Sequence, residues 1–300
     1  MTYPNTGTWT VESCTYVSGD LELHYLDARR EGPRSPGRTM LAIHGLGAHG
    51  DSWLPTVNRL SAVDRVIAPD LRGHGLSSWT RDGYWLRNYA DDLVKLIDKL
   101  GLQQLDMVGM SLGARVAMIL GARVPSLLTS VIIVDTGPEV SREGARRAKE
   151  FAPGPQEATA KSDGFRDRDE LMAFLKAKWV GFEPEALGIR ADRLYRRNWA
   201  DLLVHRVDPE TSWYLGRAGL KEVDDMWAGL AAIPVATLLL RGKESFLLDE
   251  DLSRRILGVL RHPHYEEVEA DHFMMHTSID LFSTLVDSFL RENALVGDAS

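Results

Sequence analysis

A serine between two small residues, Gly109-Met110-Ser111-Leu112-Gly113, is the strongest chemical signal in the chain. The apolar pair Met107-Val108 precedes it and the helix-compatible run Ala114-Arg115-Val116-Ala117-Met118 follows. A serine in that setting can sit on a sharp strand-to-helix turn, where the glycines relieve crowding and the helix N-terminus stabilises negative charge nearby. The bare five-residue pattern also occurs in ordinary turns, so its place between a buried strand and an apolar helix carries the argument. A second group of reactive side chains gathers near the C-terminus: His262, His264, Asp271, His272 and His276. Histidines four apart on a helix can share a metal ion. This group lacks the glutamate that turns a His-x-x-x-His pair into a zinc hydrolase signature, so a metal is not expected.

Such groups need a scaffold. Short apolar runs recur at Met40–Ile43, Val66–Ala68, Met107-Val108, Val131–Val134 and Thr237–Leu240, each followed within two residues by a glycine or an acidic residue. They fit strands buried on both faces of a parallel sheet. Helical stretches lie between them, from Tyr89 to Leu100 and from Ser111 to Gly121, which gives the alternation of an α/β fold. Before the sheet, the alternation around Ser18-Gly19-Asp20 predicts an antiparallel hairpin, followed by a Gly- and Pro-rich loop from Gly32 to Gly37. From about Glu139 to Leu230 the pattern turns wholly helical, with Leu171/Phe174/Leu175/Trp179 and Ala191/Leu194/Tyr195/Trp199 at helical spacings. We therefore expect an α/β core of residues 1–138 and 231–300, its mostly parallel sheet covered by helices on both faces, and a helical cap inserted at 139–230. A final helix carrying Ile279, Phe282, Val286 and Phe289 on one stripe should pack against the sheet.

Composition bounds the partners. At 300 residues and 44% hydrophobic content, the chain can bury one large core. Lys and Arg number 35 against 43 Asp and Glu, and a net charge of -8 disfavours nucleic acid. Basic pairs such as Arg146-Arg147 and Arg196-Arg197 are interleaved with acids and read as solvated helix faces. No apolar run approaches membrane-spanning length, and the first residues lack the basic-then-apolar pattern of an export signal. The single cysteine, Cys14, has no partner for an intramolecular disulfide, which suits a reducing, cytoplasmic setting.

From roughly Leu21 to the last helix the chain resembles the α/β-hydrolase superfamily. Besides the serine motif, His44-Gly45-Leu46-Gly47 is similar to the family's oxyanion loop, and Asp70-Leu71-Arg72-Gly73-His74-Gly75-Leu76-Ser77 to its loop after the next strand. The resemblance implies that the backbone N–H groups of Leu46 and Leu112 form an oxyanion hole, and that Arg72, His74 and His44 are structural. It places the base at His272, which would take the Ser111 proton and return it to the leaving group. The family usually has glycine before this histidine; here it is Asp271. His276, one turn on, reads as a structural histidine or a second polar group of the pocket. Many members carry the acid three residues beyond a glycine that ends the penultimate strand, but in Arg241-Gly242-Lys243-Glu244-Ser245 that place holds Ser245. Asp135, directly after Val134, and Glu244 can each replace it, with Asp249 as a third option. Asp135 leaves its strand at the sheet edge, whereas Glu244 alternates away.

The expected chemistry is hydrolysis of an ester or lactone through an acyl-enzyme on Ser111, with no metal and no organic cofactor. The alternatives are amide or C–C bond hydrolysis on the same fold and, in another class, a ligand receptor that keeps the serine. The expected partner is a small molecule, bound by a monomer or homodimer. Trp179, Trp199, Trp213 and Trp227 of the cap offer apolar surface for a hydrophobic substrate, although core packing explains most of them equally well.

Overall fold

The computed structural model describes residues 9–32, 37–81, 83–151, 164–211 and 221–294. Its centre is an eight-stranded sheet built from β1 (Trp9–Ser18), β2 (Leu21–Arg30), β3 (Thr39–Ile43), β4 (Arg65–Pro69), β5 (Leu105–Met110), β6 (Leu128–Val134), β9 (Ala236–Gly242) and β10 (His262–Val268). The strands lie in the order β1-β2-β4-β3-β5-β6-β9-β10. β2 runs antiparallel to both neighbours, and every pairing from β4 onward is parallel.

The continuous apolar runs are explained by burial on both faces. Leu41, Ile43, Met107, Val131, Ile133 and Leu239 point into one core layer, under the helices Leu86–Leu100, Leu112–Arg123, Val223–Ala232 and Glu250–Val259. Their neighbours Met40, Ala42, Val108, Ile132, Val134 and Leu240 point into the other, where Trp53 and the helix Ile279–Ala294 close the sheet. The expected stripe holds, with Ile279, Phe282, Val286 and Phe289 all buried.

The chain passes from β3 outward to β4 and then returns to β5 on the other side of β3. Adjacent loops leave the sheet there in opposite directions and open a crevice at the carboxyl ends of the strands. The loops after β3 and β5 flank this crevice.

The segment between β6 and β9 is not wholly helical. The helix Pro184–Arg193 stops before Tyr195, and β7 (Tyr195–Arg197) pairs antiparallel with β8 (Leu203–His205). The helical spacing of Tyr195 and Trp199 therefore misleads: Tyr195 packs on Phe165 while Trp199 is 97% exposed. Phe165, Leu171, Leu175, Trp179, Phe182, Leu187 and Leu194 build a third, separate core in this segment. It docks on the main body through Glu183, whose N–H donates to the His276 carbonyl and whose carboxylate accepts the Ile279 N–H. Among the described residues, no helix is long and apolar enough to cross a membrane.

Candidate active site

Ser111 is the single residue between β5 and the helix Leu112–Arg123, and its backbone has φ 53° and ψ −112°. A non-glycine residue there costs about 1–3 kcal/mol and persists only where its surroundings over-determine it. Here they do. The Ser111 N–H donates to the Val134 carbonyl at 3.1 Å, and its carbonyl accepts from Ala114 and Arg115. Gly113 lets the helix start close against the sheet, since a Cβ there would collide with the carbonyl oxygens of Ile43 and His44. The turn leaves Ser111 Oγ at 3.1 Å from His272 Nε2.

Asp135 follows the last residue of β6 and also has a positive φ, 51°. Its side chain is completely buried. Oδ1 accepts the Gly242 N–H at 2.8 Å, and Oδ2 lies 2.7 Å from His272 Nδ1. A carboxylate only accepts, so Nδ1 carries the proton and Nε2 is left as the acceptor facing the serine hydroxyl. Neither alternative acid is hydrogen-bonded to His272. Glu244 is exposed. Asp249 caps the helix Glu250–Val259, accepting the Leu252 N–H at 2.8 Å.

The turn that carries His272 is fixed by Asp271, the residue that departs from the family's glycine. Its carboxylate accepts the Phe273 N–H at 2.8 Å and the Thr277 hydroxyl at 3.1 Å. Phe246 and Phe273 pack against the imidazole at 4.9 and 5.2 Å between ring centres. Nothing in the local sequence marks Phe246 for this place, because the contact depends on the path of the loop after β9.

The loop after β3 lies directly against the serine: a Cβ on Gly45 would stand 3.4 Å from that of Ser111. His44 shapes it. Its Nε2 accepts the Leu71 N–H at 3.0 Å, so its Nδ1 is the donor to the Gly45 carbonyl at 2.7 Å. Burial, aided by neighbouring His74, pushes the His44 pKa down to about 3 and keeps the ring neutral. Leu112 opens its helix, so its N–H has no carbonyl one turn earlier to bind.

Arg72 and His74 serve the scaffold. Arg72 forks onto Asp92 at 2.6 and 2.7 Å, and buried His74 turns Nδ1 to the Arg72 carbonyl. Asp70 is clamped by His24 at 2.9 Å and by the N–H groups of Gly50 and Leu76. Burial opposes its ionisation, but the hydrogen bond and charge of His24, the charge of His49 and the Leu76 N–H hold it well below the usual carboxylate range. His24 Nε2 in turn meets Ser13 Oγ at 2.7 Å, a second Ser–His–Asp chain. Here the serine and histidine lie on the paired strands β1 and β2, with no helix start beside Ser13.

The histidines considered as metal ligands do not converge. His262 and His264 are exposed on β10, His272 faces Asp135 and Ser111 through its two ring nitrogens, and His276 stacks on Phe182 at 4.8 Å. Among the described residues, no three His, Cys, Asp or Glu side chains form a group that could hold a metal. Of the tryptophans between β6 and β9, Trp179 is buried against Phe273 near His272. Trp227 binds Glu139 with its indole N–H, and Trp199 faces solvent. Trp213 lies outside the described residues.

Comparison with known proteins agrees with this architecture. Residues 38–179 match the family model for the alpha/beta hydrolase fold. The chain is 33% identical over 171 residues to the 2-(acetamidomethylene)succinate hydrolase of Mesorhizobium japonicum, covering 57% of this chain and 58% of that protein. It is 29% identical over 162 residues to the 3-hydroxybutyrate-oligomer hydrolase of Cupriavidus necator, covering 53% of each. The matches thus span just over half the length of these relatives. The crystal structure of E-2-(acetamidomethylene)succinate hydrolase superposes with a TM-score of 0.77 at 25% identity, over 94% of this chain and 99% of that one.

Proposed function

We propose that this chain, which belongs to the α/β-hydrolase superfamily, is a serine hydrolase acting on a carboxylic ester or lactone of a small molecule. The observation that carries the reading is the unbroken contact from Ser111 Oγ through the His272 imidazole to the buried Asp135 carboxylate. Ser111 Oγ attacks the carbonyl carbon while His272 Nε2 takes the hydroxyl proton. Asp135 holds the ring by Nδ1 and stabilises the imidazolium that forms. The carbonyl oxygen, now negative, accepts the N–H groups of Leu46 and Leu112. The intermediate collapses and expels the alcohol, which takes the proton from His272. Water, deprotonated by His272, then attacks the acyl-enzyme and releases the acid. Every group used belongs to the chain, and the segment 139–230 acts as a cap over the site in the cytoplasm.

Amide hydrolysis is the second reading, favoured by the similarity to a hydrolase of 2-(acetamidomethylene)succinate. Both proceed through the same acyl-enzyme and differ in the leaving group that His272 protonates.

Labelling with a fluorophosphonate, followed by peptide mapping, tests the reading. Phosphonylation at Ser111 and not at Ser13 supports it. Labelling at Ser13, whose serine–histidine–aspartate chain lacks a helix start beside it, shows that some feature other than the turn at Ser111 controls reactivity.

A further inference from the structure

Arg190, in the helix Pro184–Arg193, is a buried guanidinium, only 8% exposed. Among the described residues its Nε–H has no hydrogen-bond acceptor, and no carboxylate pairs with the side chain. One turn along the same helix, Arg193 does pair, with Asp51 at 3.5 Å. What Arg190 has is the face of Trp179, 4.4 Å from its central carbon. A ring face attracts a cation but does not replace the hydrogen bond that the Nε–H gives up on leaving water.

The side chain borders a small cavity of about 10 Å³, shared with Ser52, Pro55, Phe182, Ala186 and His276. That is room for one oxygen-sized group. The half-buried imidazole of His276, held neutral with its pKa pushed down to about 3 by desolvation and then by Arg190, supplies no anion. The cavity is linked to His272 through packed rings: Phe273 packs both on His272 and on Phe182, which stacks on His276.

We infer that Arg190 is a specificity residue that receives a carboxylate of the substrate, so that the hydrolysed compound is an acid as well as an ester or amide. The inference rests on the serine-hydrolase reading for its chemistry and on Arg190 alone for its substrate class. The unpaired Nε–H can donate to one oxygen of a carboxylate, the oxygen for which the cavity has room. With a net charge of -8 the protein as a whole repels an anion, so a fixed local cation is needed to hold one. No bond to Arg190 breaks during turnover; it positions the acyl group or the leaving group while Ser111 reacts.

The test compares two nitrophenyl esters of similar length, butyrate and the monoester of glutarate, on the wild type, Arg190→Met and Arg190→Lys. Arg190→Met is expected to lower kcat/KM for the glutarate ester by about 30-fold and that for butyrate by less than about threefold, with Arg190→Lys in between. Equal losses on both esters, or none on either, overturn the inference. Fluorophosphonate labelling of the same preparations separates the two claims: a labelled Ser111 without a carboxylate preference sinks only the assignment of Arg190. If Ser111 is not labelled, calorimetric titration with glutarate still decides. Binding by the wild type that weakens about 30-fold in Arg190→Met supports a carboxylate site, and binding that is absent or unchanged refutes it.

Discussion

Asp135 and His272 stand 137 positions apart in sequence and meet at 2.7 Å, with the second carboxylate oxygen of Asp135 tied to the Gly242 N–H. Neither oxygen is free to turn away, so the imidazole is held in one tautomer. Asp135→Asn keeps the shape but offers Nδ1 an amide that can present N–H as well as oxygen, and kcat should fall by about 10³- to 10⁴-fold with KM nearly unchanged. Glu244→Gln, on an exposed side chain, should leave kcat within about twofold. Steady-state kinetics on an activated ester checks both. The reverse pattern would move the acid to Glu244.

The turn at Ser111 depends on the close approach of Gly113 to β3. A methyl group there meets two backbone carbonyls, which cannot move as the end of a side chain can. Gly113→Ala should destabilise the fold by about 2–4 kcal/mol in urea unfolding, and the folded fraction should lose labelling at Ser111. A stable, fully labelled variant would mean that the helix can back away from the sheet without cost.

Three histidines, His44 and His74 in the core and half-buried His276, should make stability fall in acid. Burial comes first among the causes in each, and it pushes His44 and His276 down to about 3 and His74 to about 4. The unfolded chain binds these protons near pH 6.5 and the native state does not. The contribution is therefore complete above pH 6.5 and is lost progressively as pH falls toward 4. Each histidine costs up to about 1.4 kcal/mol per pH unit within that window. Urea unfolding at pH 7.5, 6.0 and 5.0 should show a steepening loss. His74→Asn, if folded, should flatten it by about one proton's worth, and an unchanged slope would contradict the assignment.

The sheet was legible because strands buried on both faces have no alternation to hide: Met40–Ile43, Val131–Val134 and Thr237–Leu240 all lie within observed strands. Ser111 was legible for a similar reason, as its neighbours within four residues build the turn. The partner of His272 was less so. Choosing Asp135 over Glu244 depends on which side chain leaves its strand toward the crevice, and that is set by the register of β6 against β9. The segment after β6 misled at Tyr195 and Trp199, where apolar spacing suited a helix but the chain forms the β7–β8 hairpin. Arg190 gave no signal, because an arginine in an amphipathic helix normally reaches solvent and only the fold reveals that this one does not.

The central claim is that Ser111 is the nucleophile, and turnover of an activated ester by wild type and Ser111→Ala, at matched concentration and with folding checked by circular dichroism, tests it most directly. The account predicts a loss of kcat of at least about 10³-fold in Ser111→Ala. A folded Ser111→Ala protein that retains wild-type turnover would contradict it, and the contact between Ser111 and His272 would then be structural.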